Sequence, residues 1–213
     1  VSLEYTLAVT SCDRHDLLKQ TLDSFFQHVD VAPREVLILE DGPLPDMLKR
    51  GSGEAWKWYW NDPRLGQIRS CDRLMGMIDT ELVFWCEDDW QFKEGDFIQP
   101  SYDILCQYPE IFSVSLRGRA WNHPLQESSY PFLIAEPNWQ DGWGGMSFNP
   151  GLRRKSDYLK MGPYAQGGLN MWACQSELAL SRLYLKAGYR IADLGRPIIE
   201  HLGHGRSKTK EEF

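Results

Sequence analysis

Short apolar runs alternate with amphipathic stretches over the first ninety residues. Thr6-Leu7-Ala8-Val9-Thr10 has strand length and composition, and behind it Leu17, Leu18, Leu22, Phe25, Phe26 and Val29 recur at helical spacing, with Asp13 placed to cap that helix. Val36-Leu37-Ile38-Leu39 reads as a second buried strand, closed by the turn signal Glu40-Asp41-Gly42-Pro43. A helix from about Gly66 to Asp79, with Ile68, Leu74, Met75 and Ile78 inward, leads to a third apolar strand, Leu82 to Cys86. Apolar strands separated by helical segments predict an α/β domain with a mainly parallel central sheet flanked by helices.

The second half is less regular. The pattern predicts a helix from about Ser101 to Tyr108 and a strand near Phe112 to Leu116. A loop region rich in Trp, Gly, Pro and Asn follows, from roughly Trp121 to Gly151. Trp172 to Lys186 reads as a helix closed by Gly188, on which Glu177 faces the cleft only if Leu180, Leu183 and Ala187 pack on the sheet. Ile191 begins a strand, and Ile198-Ile199 leads into Glu200-His201-Leu202-Gly203-His204-Gly205. Arg206 to Phe213 is a charged tail, expected to be mobile. No linker interrupts the chain, so residues 1–205 are expected to form one domain.

Composition narrows the function. The 213 residues suit a single domain with an ample core, and 42% apolar with 25% charged residues is the balance of an ordinary folded chain. The formal net charge of −7 argues against a nucleic-acid partner. It also requires that an anionic ligand be met by a metal or a local basic patch. No apolar run approaches the roughly 20 residues of a membrane span, and no charged-then-apolar leader is visible. Five scattered cysteines without a CxxC pair fit reduced thiols, which makes a cytoplasmic location the expectation. Nine tryptophans are compatible with stacking on sugars, although core packing is the blander reading.

Ligands of parallel sheets bind at the carboxyl ends of the strands. Here three such ends carry polar clusters: Thr10 to Arg14, Glu40-Asp41, and Glu87-Asp88-Asp89. Carboxylates in one loop suit a hard divalent cation that keeps positions open for phosphate oxygens, though an acidic turn would look the same. Glu40 and Asp41 suit hydrogen bonds from a base or ribose, or equally a helix cap. His201 or His204 offers an imidazole to a metal held by the acidic loop. Glu177, on the helix after Gly167-Gly168, is a general base only if it faces the cleft; most helical glutamates face solvent.

Together these segments resemble the GT-A fold glycosyltransferases, most closely the large inverting family 2. Leu7 to Arg14 resembles that family's first strand and nucleotide-contacting loop, and Leu22-Asp23-Ser24-Phe25 its Leu-rich, Ser-containing helix end. Val36 to Gly42 resembles its strand ending in Asp-Asp-Gly, with Glu40 for the first Asp. Glu87-Asp88-Asp89 resembles the DXD motif, with Glu87 and Asp89 at the outer positions. Ala187-Gly188-Tyr189-Arg190 resembles a small-Gly-Tyr-Arg segment, which sets Ser176-Glu177 over the Glu-Asp pair whose second acid is the usual base. The departures are Glu for Asp at 40, 87 and 177, and Ser70-Cys71-Asp72 where Ala-Arg-Asn is usual.

The resemblance implies a nucleotide-binding half over residues 1–95 and an acceptor half over 96–205. It implies Mn²⁺ or Mg²⁺ on Glu87, Asp89 and His201. Nucleotide contacts would come from Thr10, Arg14, Glu40, Asp41, Arg69, Asp72 and Asp88, and Glu177 would be the base. Trp143, Gly144, Gly145 and Trp172 are the expected sugar and acceptor walls. The expected donor is a UDP-hexose, UDP-glucose by default, and the acceptor is a glycan, lipid or protein. A sugar-1-phosphate nucleotidyltransferase would instead show a glycine-rich phosphate loop after the first strand, which Thr10 to Arg14 lacks. A non-catalytic sugar-binding module would leave the acidic strand ends unexplained.

Overall fold

The computed structural model describes residues 3–43, 56–118, 125–137, 143–166 and 173–206. A nine-stranded sheet carries the domain. In spatial order it runs β3 (Trp56–Trp60), β2 (Glu35–Glu40), β1 (Tyr5–Ser11), β4 (Leu82–Glu87), β9 (Gly151–Arg154), β6 (Ile111–Ser115), β10 (Arg190–Asp193), β8 (Leu133–Ala135) and β7 (Leu125–Gln126). From β3 to β4 every pairing is parallel, as the alternation of strands and helices predicts. Beyond β4 the sheet is mixed, because β9 runs antiparallel between β4 and β6 and β8 antiparallel to β10. A two-stranded ribbon of β5 (Trp90–Phe92) and β11 (Ile199–His201) stands apart from it.

The period of two along the buried strands sorts their side chains onto two cores. Leu7 and Val9 of β1, with Phe84 and Cys86 of β4, face one side, where helix α1 (His15–His28) delivers Leu18, Leu22 and Phe25. Ala8, Val83 and Trp85 face the other. That side is covered by Ile68, Cys71, Leu74 and Met75 of α2 (Gln67–Met77) and by Leu180 and Tyr184 of α5 (Ala173–Lys186). On the first side, α3 (Ile98–Gln107) begins on Asp30, whose carboxylate accepts the backbone N–H groups of Phe97, Ile98 and Gln99 at 3.1, 2.9 and 3.0 Å. This satisfies three of the donors that a helix start leaves unpaired.

Several local expectations differ from the structure. Arg14, not Asp13, precedes the first turn of α1, and no side chain caps it. Asp13 has φ 51° and pairs with Arg64 instead. Leu183 is 37% exposed and Ala187 is exposed as well; the inward face of α5 is Ser176, Leu180, Ser181, Tyr184 and Leu185. β3, β9 and the seven-residue helix α4 (Lys155–Met161) carry no pattern that announces them. Arg206, the first residue of the expected tail, makes two hydrogen bonds to Asp16 at 2.7 and 3.0 Å; residues 207–213 lie outside the described residues. No described helix is long and apolar enough to cross a membrane.

Candidate active site

The register places the three polar strand ends side by side. Ser11 of β1 pairs with Glu40 of β2, and Thr10 of β1 pairs with Glu87 of β4. The acidic loop after β4 is held by α1 from beneath. Thr21 Oγ1 donates to the Asp88 carbonyl at 2.9 Å and accepts the Trp90 N–H at 3.0 Å, while Ser24 Oγ accepts the Phe92 N–H at 3.0 Å. The Ser-containing stretch of α1 thus serves the acidic loop through its hydroxyls.

Arg14 ties the two aspartates together. Its Nε donates to Asp88 Oδ2 at 3.2 Å, its Nη1 to Asp89 Oδ2 at 2.7 Å, and its Nη2 pairs with Asp88 Oδ1. Burial pushes the Asp88 carboxyl up to about 6 even against the charge of Arg14. Burial also acts to raise Asp89, but the hydrogen bond from His201 and the charge of Arg14 outweigh it and hold that carboxyl below its ordinary value. Glu87 is raised by burial and by the charges of Asp89, Glu177 and Asp88, and its Oε1 accepts a hydrogen bond from Gln67 Nε2.

Asp89 and His201 meet because β11 pairs with β5, setting His201 opposite Trp90. His201 Nε2 lies 3.1 Å from Asp89 Oδ2, and the Leu202 N–H donates to the Asp89 carbonyl at 2.8 Å. The second carboxylate oxygen, Oδ1, is buried without a hydrogen-bond partner. An orphaned anionic oxygen in a buried position has room for a cation or an added donor, and Glu40 Oε2 is a second such oxygen among the described residues. No group of three or more His, Cys, Asp and Glu able to hold an ion is formed among the described residues. Glu87, the third expected ligand, does not join Asp89 and His201 and is hydrogen-bonded to Gln67 instead. Asp89 and His201 offer one carboxylate and one imidazole, which suits a divalent cation that completes its shell from phosphate oxygens and water. His204 is exposed and touches His201 edge-on, with ring centroids 4.8 Å apart.

Gly203 makes this arrangement possible. A Cβ at 203 would lie 2.0 Å from Asp89 Oδ2 and 3.0 Å from His201 Nε2. Gly203→Ala is expected to push the carboxylate and imidazole out of place and to weaken Mn²⁺ binding roughly 10–100-fold. Calorimetric titration of Mn²⁺ into the two proteins checks this, with near-UV circular dichroism confirming the fold.

Glu177, half-buried on α5, faces the end of β4 closely enough that its charge raises Glu87. Its Oε1 accepts Ser147 Oγ–H at 2.7 Å and the Phe148 N–H at 2.8 Å. Burial raises its carboxyl above the ordinary value, opposed by those two hydrogen bonds and by the charges of Arg153 and Arg117. Arg117 stacks over Trp90, 5.3 Å from the ring centroid.

Other candidates are engaged elsewhere. Asp41 accepts the backbone N–H groups of Leu65 and Gly66 at 2.8 and 2.9 Å and Asn61 Nδ2 at 2.7 Å, so its carboxylate anchors the start of α2. Glu40 Oε1 accepts the Asp13 N–H at 2.6 Å and Oε2 lies 3.4 Å from His15 Nε2, which shapes the loop between β1 and α1. Asp72 is spent on the segment after α4: it accepts Tyr158 Oη–H at 2.9 Å and the N–H groups of Tyr164 and Ala165 at 2.7 and 2.8 Å. Arg69 is exposed on α2, and Thr10 sits at the mouth of β1, 8% exposed. Trp143 is half-buried at the start of the Gly144-Gly145 turn. A Cβ at Gly145 would lie 2.2 Å from the Ser181 carbonyl oxygen, so the space beside it is filled by α5 and not open to a sugar ring. Gly144, with φ 104°, packs on Pro137 and Glu136. Trp172 lies outside the described residues.

No family model matches the chain, and no curated protein matches it in sequence. Solved structures do match. GalNAc-T7 with UDP, GalNAc and Mn²⁺ superposes with TM-score 0.68 at 12% identity, over 92% of this chain and 43% of that one. Residues 1–349 of S. aureus TarS with UDP-GlcNAc superpose with TM-score 0.66 at 10% identity, over 99% of this chain and 62% of that one. The mannosyltransferase PcManGT of Pyrobaculum calidifontis, with GDP-Man and Mn²⁺, gives TM-score 0.61 at 15% identity, over 89% and 56%. The fold is GT-A, and the chain spans between 43% and 62% of the length of these three structures.

Proposed function

We propose that this chain is a metal-dependent glycosyltransferase that moves a hexose from a nucleoside diphosphate sugar to an acceptor hydroxyl with inversion at the anomeric carbon. The observation that carries the reading is the end of β4. There Asp89 keeps one buried oxygen, Oδ1, without a partner while Oδ2 meets His201, and the charge of Glu177 on α5 acts on Glu87 at the same strand end. UDP, UDP-GlcNAc and GDP-Man in the structural neighbours support the donor class, with a UDP-hexose such as UDP-glucose as the default.

Asp89 and His201 would hold Mn²⁺ or Mg²⁺. When bound, the cation supplies the positive charge that lets a diphosphate leave from a protein of net charge −7. Arg14 keeps the two aspartates aligned beneath it. Thr10, at the adjoining strand end, flanks the place for base and ribose, with Asp41 and Glu40 fixing the loops around it. Glu177, anchored through Oε1, takes the acceptor's proton on its other oxygen as the acceptor oxygen bonds to the anomeric carbon and the bond to the diphosphate breaks. The hydrogen-bonded anchor restricts the carboxylate to one orientation, which is the positioning that such a step needs.

The direct test is calorimetry of UDP with Mn²⁺ and with EDTA. Affinity should rise at least about tenfold with the metal, since the charge of Arg14 is already taken up by Asp88 and Asp89. Equal affinity in both buffers would contradict the proposed site.

A further inference from the structure

Arg153 is the least ordinary residue of the core. It lies in the middle of β9, opposite Val83 of β4 and Ser113 of β6, and is fully buried. Its guanidinium sits 5.6 Å from the Trp85 ring centroid and 5.3 Å from that of Phe112. Among the described residues it forms no ion pair within 4.0 Å, and Nε and Nη1 lack a hydrogen bond of ordinary geometry, although the Tyr164 hydroxyl interacts with the guanidinium. A buried cation without a direct counter-ion is costly, and the two aromatic faces offset only part of that cost. Packing alone would be served better by Met or Leu.

Nη2 is the working end. It donates to the carbonyl oxygens of Ser147 and Asn149, both at 3.2 Å, and so grips the two ends of a three-residue turn. Inside that turn the Asn149 N–H donates to Ser147 Oγ at 3.1 Å. The same turn presents Ser147 Oγ–H and the Phe148 N–H to Glu177 Oε1. One buried guanidinium thus fixes the backbone that supplies both anchors of the glutamate.

We propose that Arg153 is the positioning residue of Glu177: it clamps the 147–149 turn whose Ser147 hydroxyl and Phe148 N–H orient the carboxylate. The inference rests on the reading of Glu177 as the base. Among the described residues, the charged groups that act most on Glu177 are Glu87 at the end of β4, Arg117 after β6 and Arg153 on β9. The first opposes ionisation and the other two favour it. Removing Arg153 takes away one of the two favourable charges and loosens the turn that supplies both hydrogen bonds, so the carboxyl is expected to rise.

The test is the Arg153→Met protein, a near match in length that lacks the charge. Its Glu177 side-chain ¹³C signal, assigned by its loss in Glu177→Gln, should titrate about one pH unit higher than in the wild type. The acid limb of kcat should move up with it, so that transfer falls roughly tenfold on the acid side and recovers as the pH rises. KM for the donor should not change. A variant that only loosened the core would lose rate evenly at all pH values, with an unmoved Glu177 midpoint, and that outcome would overturn the proposal. Arg153→Lys, which keeps the charge, should restore the midpoint.

A second measurement needs no change at Arg153. In the wild type its Nε–H resonance should shift with the midpoint of Glu177, and that shift should vanish in Glu177→Gln. A resonance indifferent to the Glu177 titration would refute the coupling even if Arg153→Met fails to fold. If the coupling is present but Glu177→Gln transfers sugar at the wild-type rate, then the assignment of the base fails and not the link to Arg153.

Discussion

Glu177→Gln is expected to lower sugar transfer by about 10²–10⁴-fold, the usual contribution of a positioned general base. The substitution keeps shape, and an amide oxygen still accepts from Ser147 Oγ and the Phe148 N–H. What it loses is the proton-accepting charge. It also removes one of the charges that raise Glu87, so the fold should be unharmed or slightly more stable. UDP and Mn²⁺ binding should stay close to the wild type, because these rest on Asp89 and His201. Single-turnover assays with calorimetry on the same protein separate the two effects. Wild-type turnover would place the base elsewhere, with Asp157 and Asp141 the next candidates. Asp157 is committed to Arg154 and Tyr189, each at 2.8 Å, and Asp141 lies outside the described residues. The wild-type product, examined by the anomeric coupling in proton NMR, reads the stereochemistry directly.

Asp89→Asn is expected to cost at least about 10²-fold in metal-dependent turnover, the scale of removing a charge aimed at the leaving group. The loss should appear first as weaker Mn²⁺ binding, since Asp89 provides the buried, unpartnered oxygen at the site. Arg14 would remain paired with Asp88, so the loop after β4 should hold its shape. His201→Ala should weaken metal binding more than His204→Ala, because His201 lies 3.1 Å from Asp89 Oδ2 whereas His204 is exposed and meets only the edge of His201. Equal losses in the two histidine variants, or an Asp89→Asn protein that still responds to Mn²⁺, would remove the proposed metal site.

The parallel half of the sheet was legible because its strands are buried on both faces, which leaves uninterrupted apolar runs such as Val36 to Leu39 and Leu82 to Cys86. The carboxyl-end rule then brought Thr10, Glu40 and Glu87 together before any pairing was known. The same rule applied to β6 would have found Arg117, which follows Leu116 directly. Other elements gave no local signal. β3, Trp-Lys-Trp-Tyr-Trp, is an edge strand with no fully buried residue, and β9 carries two arginines where a buried strand reads as apolar. The β5–β11 ribbon is three residues long on each side and depends on partners more than a hundred positions apart.

Carboxylates posed a different difficulty. A sequence does not distinguish an Asp that faces a ligand from one that satisfies backbone donors. For Asp41 those donors come from Leu65 and Gly66, and for Asp72 from Tyr164 and Ala165. In both cases the deciding partners are fixed by the tertiary fold. Gly203 was visible only as a glycine between two histidines; its purpose is the 2.0 Å approach to Asp89.

The central claim is that this site releases a nucleoside diphosphate from an activated sugar under control of a divalent cation. Nucleotide release should be measured from a panel of UDP- and GDP-hexoses, with Mn²⁺ and with EDTA, on the wild type and on Asp89→Asn. Release from at least one UDP-hexose should require Mn²⁺ and be lost in Asp89→Asn. Release of pyrophosphate from a nucleoside triphosphate and a sugar phosphate in its place, or Mn²⁺-dependent binding of every donor with turnover of none, would contradict it.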